Sequence, residues 1–348
     1  MRAARWHGRG DVRIDAVPQP PAAPGMVVVR VEWCGLCGTD LHEYTCGPVL
    51  IPSRPHPLTG KMPPVTLGHE FCGTVAAAGD GAAFAEGDRV TAGACLVCHA
   101  CPWCRAKAFN LCSKLGSIGL CADGALAEFV CVPAYVLSRV PPDLPSDVAA
   151  LTEPTAVAVH ACRRARLSAG DTVAVVGAGT IGLLVLQVAR AHGASAVLAI
   201  EPVGARRELA TQLGACMSLD PRAGSVDQEV SAATEGRRAD VVFECTGSAG
   251  GIETALRVSG KAGRVVLVGI YGKPSPAPWS SLQAREKEII GSSAYTDEVP
   301  AAVQLLASAR VKGQPLLTDR IALDDIEHRG FRALLEEPGK HVKILVRP

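Results

Sequence analysis

Over the first 150 residues, apolar positions alternate with polar ones or fall into short runs. Val27 to Trp33 reads as a strand, as do Gly73 to Val75 and Asp88 to Thr91, separated by the turn signals Gly79-Asp80-Gly81 and Glu86-Gly87-Asp88. Together they predict an irregular, mostly β domain. The stretch from Gly47 to Pro64 holds six prolines and little periodicity, so a long loop is expected there, of the kind that tends to be functional. After Leu151 the pattern changes. Ala156 to Arg166 suits a helix, Thr172 to Val176 a buried strand, Ile181 to His192 an apolar helix, Ala196 to Ile200 a strand and Arg206 to Leu213 a helix, and Asp240 to Glu244 and Arg264 to Val268 continue the series. Strands alternating with helices predict an α/β domain with a doubly wound parallel sheet. From about Ser292 the alternation stops, and His341 to Val346 reads as a last strand expected to return to the first domain.

A length of 348 residues suffices for two domains of ordinary size. With 35 basic and 34 acidic residues and no long run of like charge, nothing points to nucleic acid or an anionic membrane as partner. No apolar stretch follows the arginines of Met1 to Gly10, which argues against a secretory signal, and runs such as Ile181 to Leu186 are too short to span a bilayer. The expected location is cytoplasmic. Fourteen cysteines in such a chain point to metal rather than to disulfides.

Gly177-Ala178-Gly179-Thr180-Ile181-Gly182 is a G-x-G-x-x-G set between a predicted strand and a predicted helix, the context a dinucleotide site requires. The first glycine allows the tight turn and the second lets the pyrophosphate approach the backbone. The third lets helix and strand pack closely. Thr180 and Ile181 open the helix whose free N–H groups would face the phosphates. Glu201 ends the next strand, nineteen residues after Gly182, where a carboxylate accepts hydrogen bonds from ribose hydroxyls and repels a 2′-phosphate. NAD is therefore favoured over NADP. Arg206 and Arg207 are placed to meet a phosphate but read more readily as a solvated helix face.

Cys98, Cys101, Cys104 and Cys112 offer four thiolates on one loop, which suits a closed, structural zinc with no position left for water, an iron–sulfur cluster being the alternative. Cys37, His69 with Glu70, and Glu153 are a second, scattered set. One sulfur, one nitrogen and one carboxylate match the donor count of a catalytic zinc, but nothing in the sequence itself brings them together.

Cys34-Gly35-Leu36-Cys37-Gly38-Thr39-Asp40-Leu41-His42, Gly68-His69-Glu70, the four-cysteine loop and the glycine motif, in that order, resemble the zinc-containing medium-chain alcohol dehydrogenases over nearly the whole chain. Within that family, the segments His42 to Pro48, His56 to Gly60, Pro64 to Glu70 and Glu153 to Ala161 are similar to the 2,3-butanediol and sorbitol dehydrogenase branch. The resemblance implies a mostly β, GroES-like catalytic domain (1–153 and 292–348, zinc loop 95–112) and a Rossmann domain (154–291). It implies Cys37, His69 and Glu153 as ligands of a catalytic zinc, with Glu70 nearby or exchanging with a ligand. Asp40 would orient His69, Thr39 would contact the substrate hydroxyl, and His42 would pass its proton to solvent. Cys34 would not ligate. Cys46, unusual for the branch, reads as a small buried residue.

The implied activity is hydride transfer between a secondary alcohol (a vicinal diol, hydroxyketone or polyol) and NAD, with two zinc ions per chain in a homodimer or homotetramer. The interface would lie around Arg264 to Ile270 and the segment after it. Rival readings are a threonine 3-dehydrogenase or a dehydrogenase of a biosynthetic intermediate. Of another class are a zinc-free quinone reductase and a non-catalytic, redox-sensing NAD-binding protein.

Overall fold

Val27, Val29 and Val31 alternate inward along the strand Met26–Gly35, the spine of a seven-stranded sheet. The strands Glu70–Ala78 and Phe129–Pro133 pair with it antiparallel, and the terminal strand Lys343–Arg347 joins it at Cys34 and Gly35. Arg2–Gly8 and Asp11–Ala16 form a hairpin beside it that sequence patterning did not reveal, because arginines break the alternation. Phe71, Leu67, Leu126, Ile118 and Phe331 are wholly or almost wholly buried in this core; each such side chain stabilises the fold by roughly 1.5–3 kcal/mol. Residues 47–64 form no helix or strand.

The computed structural model describes all 348 residues. It comprises two units: Met1–Glu153 with Tyr295–Ala307 and Leu316–Pro348, and Pro154–Ala294 with Ser308–Pro315. Ser308–Pro315 thus groups with the second unit, inside the tail assigned to the first from sequence.

The second unit holds six parallel strands in the order Met217–Leu219, Ala196–Ile200, Thr172–Val176, Ala239–Glu244, Ser259–Leu267, Glu288–Gly291. In chain order that is 3-2-1-4-5-6, the doubly wound dinucleotide-binding arrangement expected. Thr172–Val176 is buried along its whole length, as a central parallel strand is. The order reverses between Thr172–Val176 and Ala239–Glu244, so a crevice opens at their carboxyl ends. The helix Ala249–Val258 escaped sequence reading because Gly250 and Gly251 weaken its first turn; Ser248 compensates by accepting the N–H of Gly251 at 3.0 Å. No helix is long and apolar enough to cross a membrane.

Candidate active site

Cys37 sits immediately before the helix Gly38–Cys46 and caps it. Its sulfur accepts the N–H of Thr39 at 3.4 Å, and the Asp40 carboxylate accepts the N–H of Cys37 at 2.9 Å, a reciprocal capping box. Gly68 turns the chain into His69 with φ +95°, and a Cβ there would stand 2.7 Å from the Cys34 sulfur. Only glycine fits. Glu70 and Phe71 then open the strand Glu70–Ala78 on opposite faces. Phe71 goes to the core, and the Glu70 carboxylate meets Lys343 Nζ at 2.5 Å, with both side chains at most 3% exposed. Lys343 also donates to the Leu36 carbonyl at 2.8 Å.

Ligand atoms of Cys37, His69 and Glu70 all lie within 4.8 Å of one another. Glu153, expected as the third ligand, lies outside that group, and Glu70, expected as its neighbour, lies inside it. Glu153 stands in the first turn of the helix Thr152–Arg164, beside the Tyr295 hydroxyl. Cys34 is buried and belongs to no ligand cluster.

Charge at this site is lopsided. Cys37, Asp40, Glu70 and Glu153 are grouped around His69 and Lys343. Burial pushes the Glu153 carboxyl up to about 7, and it raises Asp40 as well. Burial alone would lower His69 and Lys343, but the thiol and carboxylates beside them outweigh it and raise both. Such an excess of soft and anionic donors suits a divalent cation. A further sign is that His69 Nδ1 and Asp40 Oδ1, both buried and without hydrogen-bond partners, stand 3.8 Å apart. That is too long for the hydrogen bond expected between them. Asp40 nevertheless stands beside that ring nitrogen, as does the carboxylate that orients a metal-ligating histidine. The residues fit zinc.

Thr39 Oγ1 stands 3.6 Å from the Cys37 sulfur. His42 follows three residues later on the same helix face and is exposed. Cys46 is exposed rather than buried, because it ends that helix on the solvent side.

The four remaining cysteines form a separate cluster, again with sulfurs within 4.8 Å of one another. Backbone N–H groups of Ser113 and Cys104 pull the Cys101 thiol down to about 5, whereas burial pushes Cys104 up to about 12. Four sulfurs this close fit a closed tetrahedral metal site. Cys95 is outside the cluster.

In the second unit, Gly177 has φ +93°, and the methyl of Thr246 lies 2.6 Å from where its Cβ would be. A Cβ on Gly182 would run into the Gly177 carbonyl. Beside Gly179 there is open space, and no side chain caps the helix Thr180–Ala191 that follows, so its first turn fits a phosphate. Glu201 accepts the N–H groups of Ala178 at 2.7 Å and Val203 at 2.9 Å. It therefore clamps the glycine turn itself, a role the sequence did not disclose. Arg207 and Arg222 both pair with Asp220, at 3.2 and 2.9 Å. Arg206 is half-buried on the same helix as Arg207. Glu244, wholly buried, gathers the N–H groups of Thr246 and Gly247 and the Tyr271 hydroxyl.

Comparison with known proteins agrees with this geometry. Residues 23–142 match the alcohol dehydrogenase GroES-like domain and residues 180–308 the zinc-binding dehydrogenase domain. The chain is 39% identical to (R,R)-butanediol dehydrogenase of Bacillus subtilis, with all of both chains covered. The crystal structure of 2R,3R-butanediol dehydrogenase from that organism superposes with a TM-score of 0.93, at 39% identity, over 100% of this chain and 99% of the other. A Sinorhizobium meliloti protein solved bound to NADP is 33% identical, with a TM-score of 0.89 over 100% and 99% of the two chains. Two domain matches and full-length relatives thus agree, and the chain belongs to the zinc-dependent medium-chain alcohol dehydrogenases, in the branch of the butanediol and sorbitol dehydrogenases.

Proposed function

We propose that this dehydrogenase transfers a hydride between NAD and a secondary alcohol carrying a neighbouring oxygen, such as a vicinal diol, an α-hydroxyketone or a polyol. The gathering of Cys37, His69 and Glu70 within 4.8 Å carries the reading. Zinc held by Cys37, His69 and a carboxylate supplies, when bound, the Lewis acidity that lowers the alcohol pKa. Thr39 accepts the substrate hydroxyl proton, and His42 relays it to solvent. The hydride goes to the nicotinamide, so two electrons and one proton reach the cofactor side and one proton the solvent. A second zinc at Cys98, Cys101, Cys104 and Cys112 is structural. Gly177, Gly179, Thr180, Ile181 and Gly182 cradle the pyrophosphate.

Preference for NAD is supported by charge. Glu201 puts a carboxylate beside the expected ribose, and Arg207 and Arg222 on the neighbouring segment are both engaged by Asp220. We further propose a cytoplasmic homodimer or homotetramer; the strand Ser259–Leu267, around which the interface was expected as a sheet edge, is paired on both sides, so the edge on that side of the sheet is Glu288–Gly291.

Nicotinamide absorbance, followed with NAD and NADP against vicinal diols, hydroxyketones, sugar alcohols, threonine and simple secondary alcohols, tests the proposal. Turnover of the oxygen-flanked alcohols with NAD, abolished by chelation, is expected. No turnover with both metals bound would sink it. Gly177→Ala combines a positive φ with displacement of the Thr246 methyl, a cost of about 1–2 kcal/mol for the backbone alone. Fluorescence titration is expected to show NADH binding weakened about tenfold or more. Unchanged binding would remove the glycine turn from the cofactor site.

A further inference from the structure

We infer that Glu244 is a positioning residue for the nicotinamide half of the cofactor site, its carboxylate locking together the two loops that wall that half without touching the cofactor itself. Glu244 takes this role only if the second unit is a dinucleotide site, the reading on which the inference rests.

The six parallel strands divide into two mononucleotide-binding halves, and a dinucleotide lies across the crevice between them. The glycine turn and Glu201 belong to the half built on Thr172–Val176, Ala196–Ile200 and Met217–Leu219, the adenosine side. The other half begins with Ala239–Glu244, so the loops that leave Glu244 and Leu267 fall to the nicotinamide side. Glu244 is in register with Val176, the residue before the glycine turn. The Cys245 N–H donates to the Val176 carbonyl at 2.9 Å, and the Thr246 methyl is what a Cβ on Gly177 would meet first. The first loop thus abuts the turn that takes the pyrophosphate.

A carboxylate offers about four acceptor positions, and Glu244 fills them within the protein. Its Oε1 accepts the N–H of Thr246 at 2.8 Å and the hydroxyl of the same residue. Its Oε2 accepts the N–H of Gly247 at 3.1 Å and the Tyr271 hydroxyl at 2.8 Å. The Glu244 carbonyl accepts the N–H groups of Val268 and Gly269, at 2.9 and 3.0 Å. One wholly buried residue therefore ties Thr246–Gly247 to Val268–Tyr271, with no acceptor left over for a ribose or a nicotinamide. Burial and the carboxylate both push the Tyr271 phenol up, so it remains a donor. The loops also touch directly. A Cβ on Gly269 would run into the Gly247 nitrogen and stand 2.9 Å from Oε2, and one on Gly247 would run into the Ile270 carbonyl. Backbone packed this closely on backbone has little room to shift, so the carboxylate that joins the loops also sets where they stand.

Glu244→Gln keeps the size of the side chain but turns an amide NH2 toward donors that now meet an oxygen. NADH binding, followed by nicotinamide fluorescence, is expected to weaken about tenfold or more, because buried donors lose their acceptor. Binding of ADP-ribose, followed by calorimetry, is expected to change by less than about twofold, since that fragment meets the glycine turn and Glu201 but not the nicotinamide half. Tyr271→Phe removes a single donor at a half-buried position and is expected to weaken NADH about threefold, again sparing ADP-ribose. In the Glu244→Gln background it is expected to add little, because the group it acts through is already altered. Unchanged NADH binding in both variants would overturn the inference. So would an equal loss of NADH and ADP-ribose, which would assign Glu244 to the fold of the whole unit. Losses that add in full would overturn it as well, by placing the Tyr271 hydroxyl on the ligand. If Glu244→Gln does not fold, the comparison of NADH with ADP-ribose in Tyr271→Phe decides alone. A parent protein that binds neither compound would instead overturn the dinucleotide reading on which the inference stands.

Discussion

Cys37→Ala is expected to hold one zinc per chain against an expected two in the parent, and to lose kcat/KM by a factor on the order of a thousand or more. A Lewis acid on the reacting oxygen contributes several kcal/mol to the transition state, and each increment of about 1.4 kcal/mol is tenfold in rate. Cys37 has a second job that confuses a simple reading, because its sulfur also caps the helix Gly38–Cys46. Losing that cap costs about 1 kcal/mol and would loosen Thr39 and His42 on the same helix. Cys37→Ser separates the two effects, since a hydroxyl still accepts the Thr39 N–H but binds zinc poorly. Metal content by elemental analysis, steady-state kinetics and thermal unfolding of both variants are the measurements. The serine variant should unfold near the parent and remain inactive. Retained turnover in a Cys37 variant shown to lack the site's metal would overturn the zinc assignment.

Parts of this molecule that depend on local sequence were legible in advance. The glycine turn is one: Gly177, Gly179 and Gly182 lie within six residues, between a strand and a helix whose periodicities are distinct, and each meets the geometry its spacing implied. The four-cysteine cluster is another, because its spacing alone keeps the sulfurs close. What was not legible depends on pairs far apart in the chain. Lys343 lies 273 residues from Glu70, and as a single basic residue in a short terminal strand it carries no signal of its own. Tyr295 reaches Ala94 across 201 residues, and nothing around it marks it out. Only pairing of the strand Lys343–Arg347 with Met26–Gly35 brings that lysine under the site.

Glu201 shows a subtler limit. Its position after the strand was informative, but a carboxylate at a sheet end can serve ligand or backbone, and spacing does not say which. Here both oxygens already hold backbone N–H groups, one of them in the glycine turn. Cys46 illustrates the converse. Composition makes cysteine a small buried residue by default, yet the helix Gly38–Cys46 buries Asp40 and Glu43 instead and turns its last residue outward. Glu43 is buried because its carboxylate accepts the N–H groups of Val49, Leu50 and Ile51 and so pins the start of the proline-rich loop. Polar burial of this kind inverts the hydrophobic pattern on which sequence reading relies.

Cys104→Ser is expected to produce the largest structural effect of any single substitution in the first unit, confined to one lobe. The sulfurs of Cys98 and Cys112 lie 3.5 Å apart and those of Cys98 and Cys104 3.9 Å. Around them the apolar support is a small cluster, Val97, the cysteines themselves, Phe109 and Leu115, with the Tyr135 ring edge-on to His99. The lobe is tied by a two-residue ladder, Cys95–Leu96 against Gly116–Ser117. So little burial cannot order some twenty residues against a conformational entropy of about 1–2 kcal/mol each. Metal must supply the difference, and a four-thiolate zinc is worth on the order of 10 kcal/mol in a small folded module. Without the Cys104 thiolate, the lobe should lose its zinc and open while the main core of the first unit, built on Phe71, Leu126 and Phe331, stays folded. Hydrogen exchange gives the direct readout. Amide protection from Val97 to Leu115 should collapse while that of Met26–Gly35 persists, and proteolysis should nick the chain within the lobe. Protection that survives in a variant shown to have lost this metal would mean that the lobe is held by packing, and that the four cysteines are not its keystone.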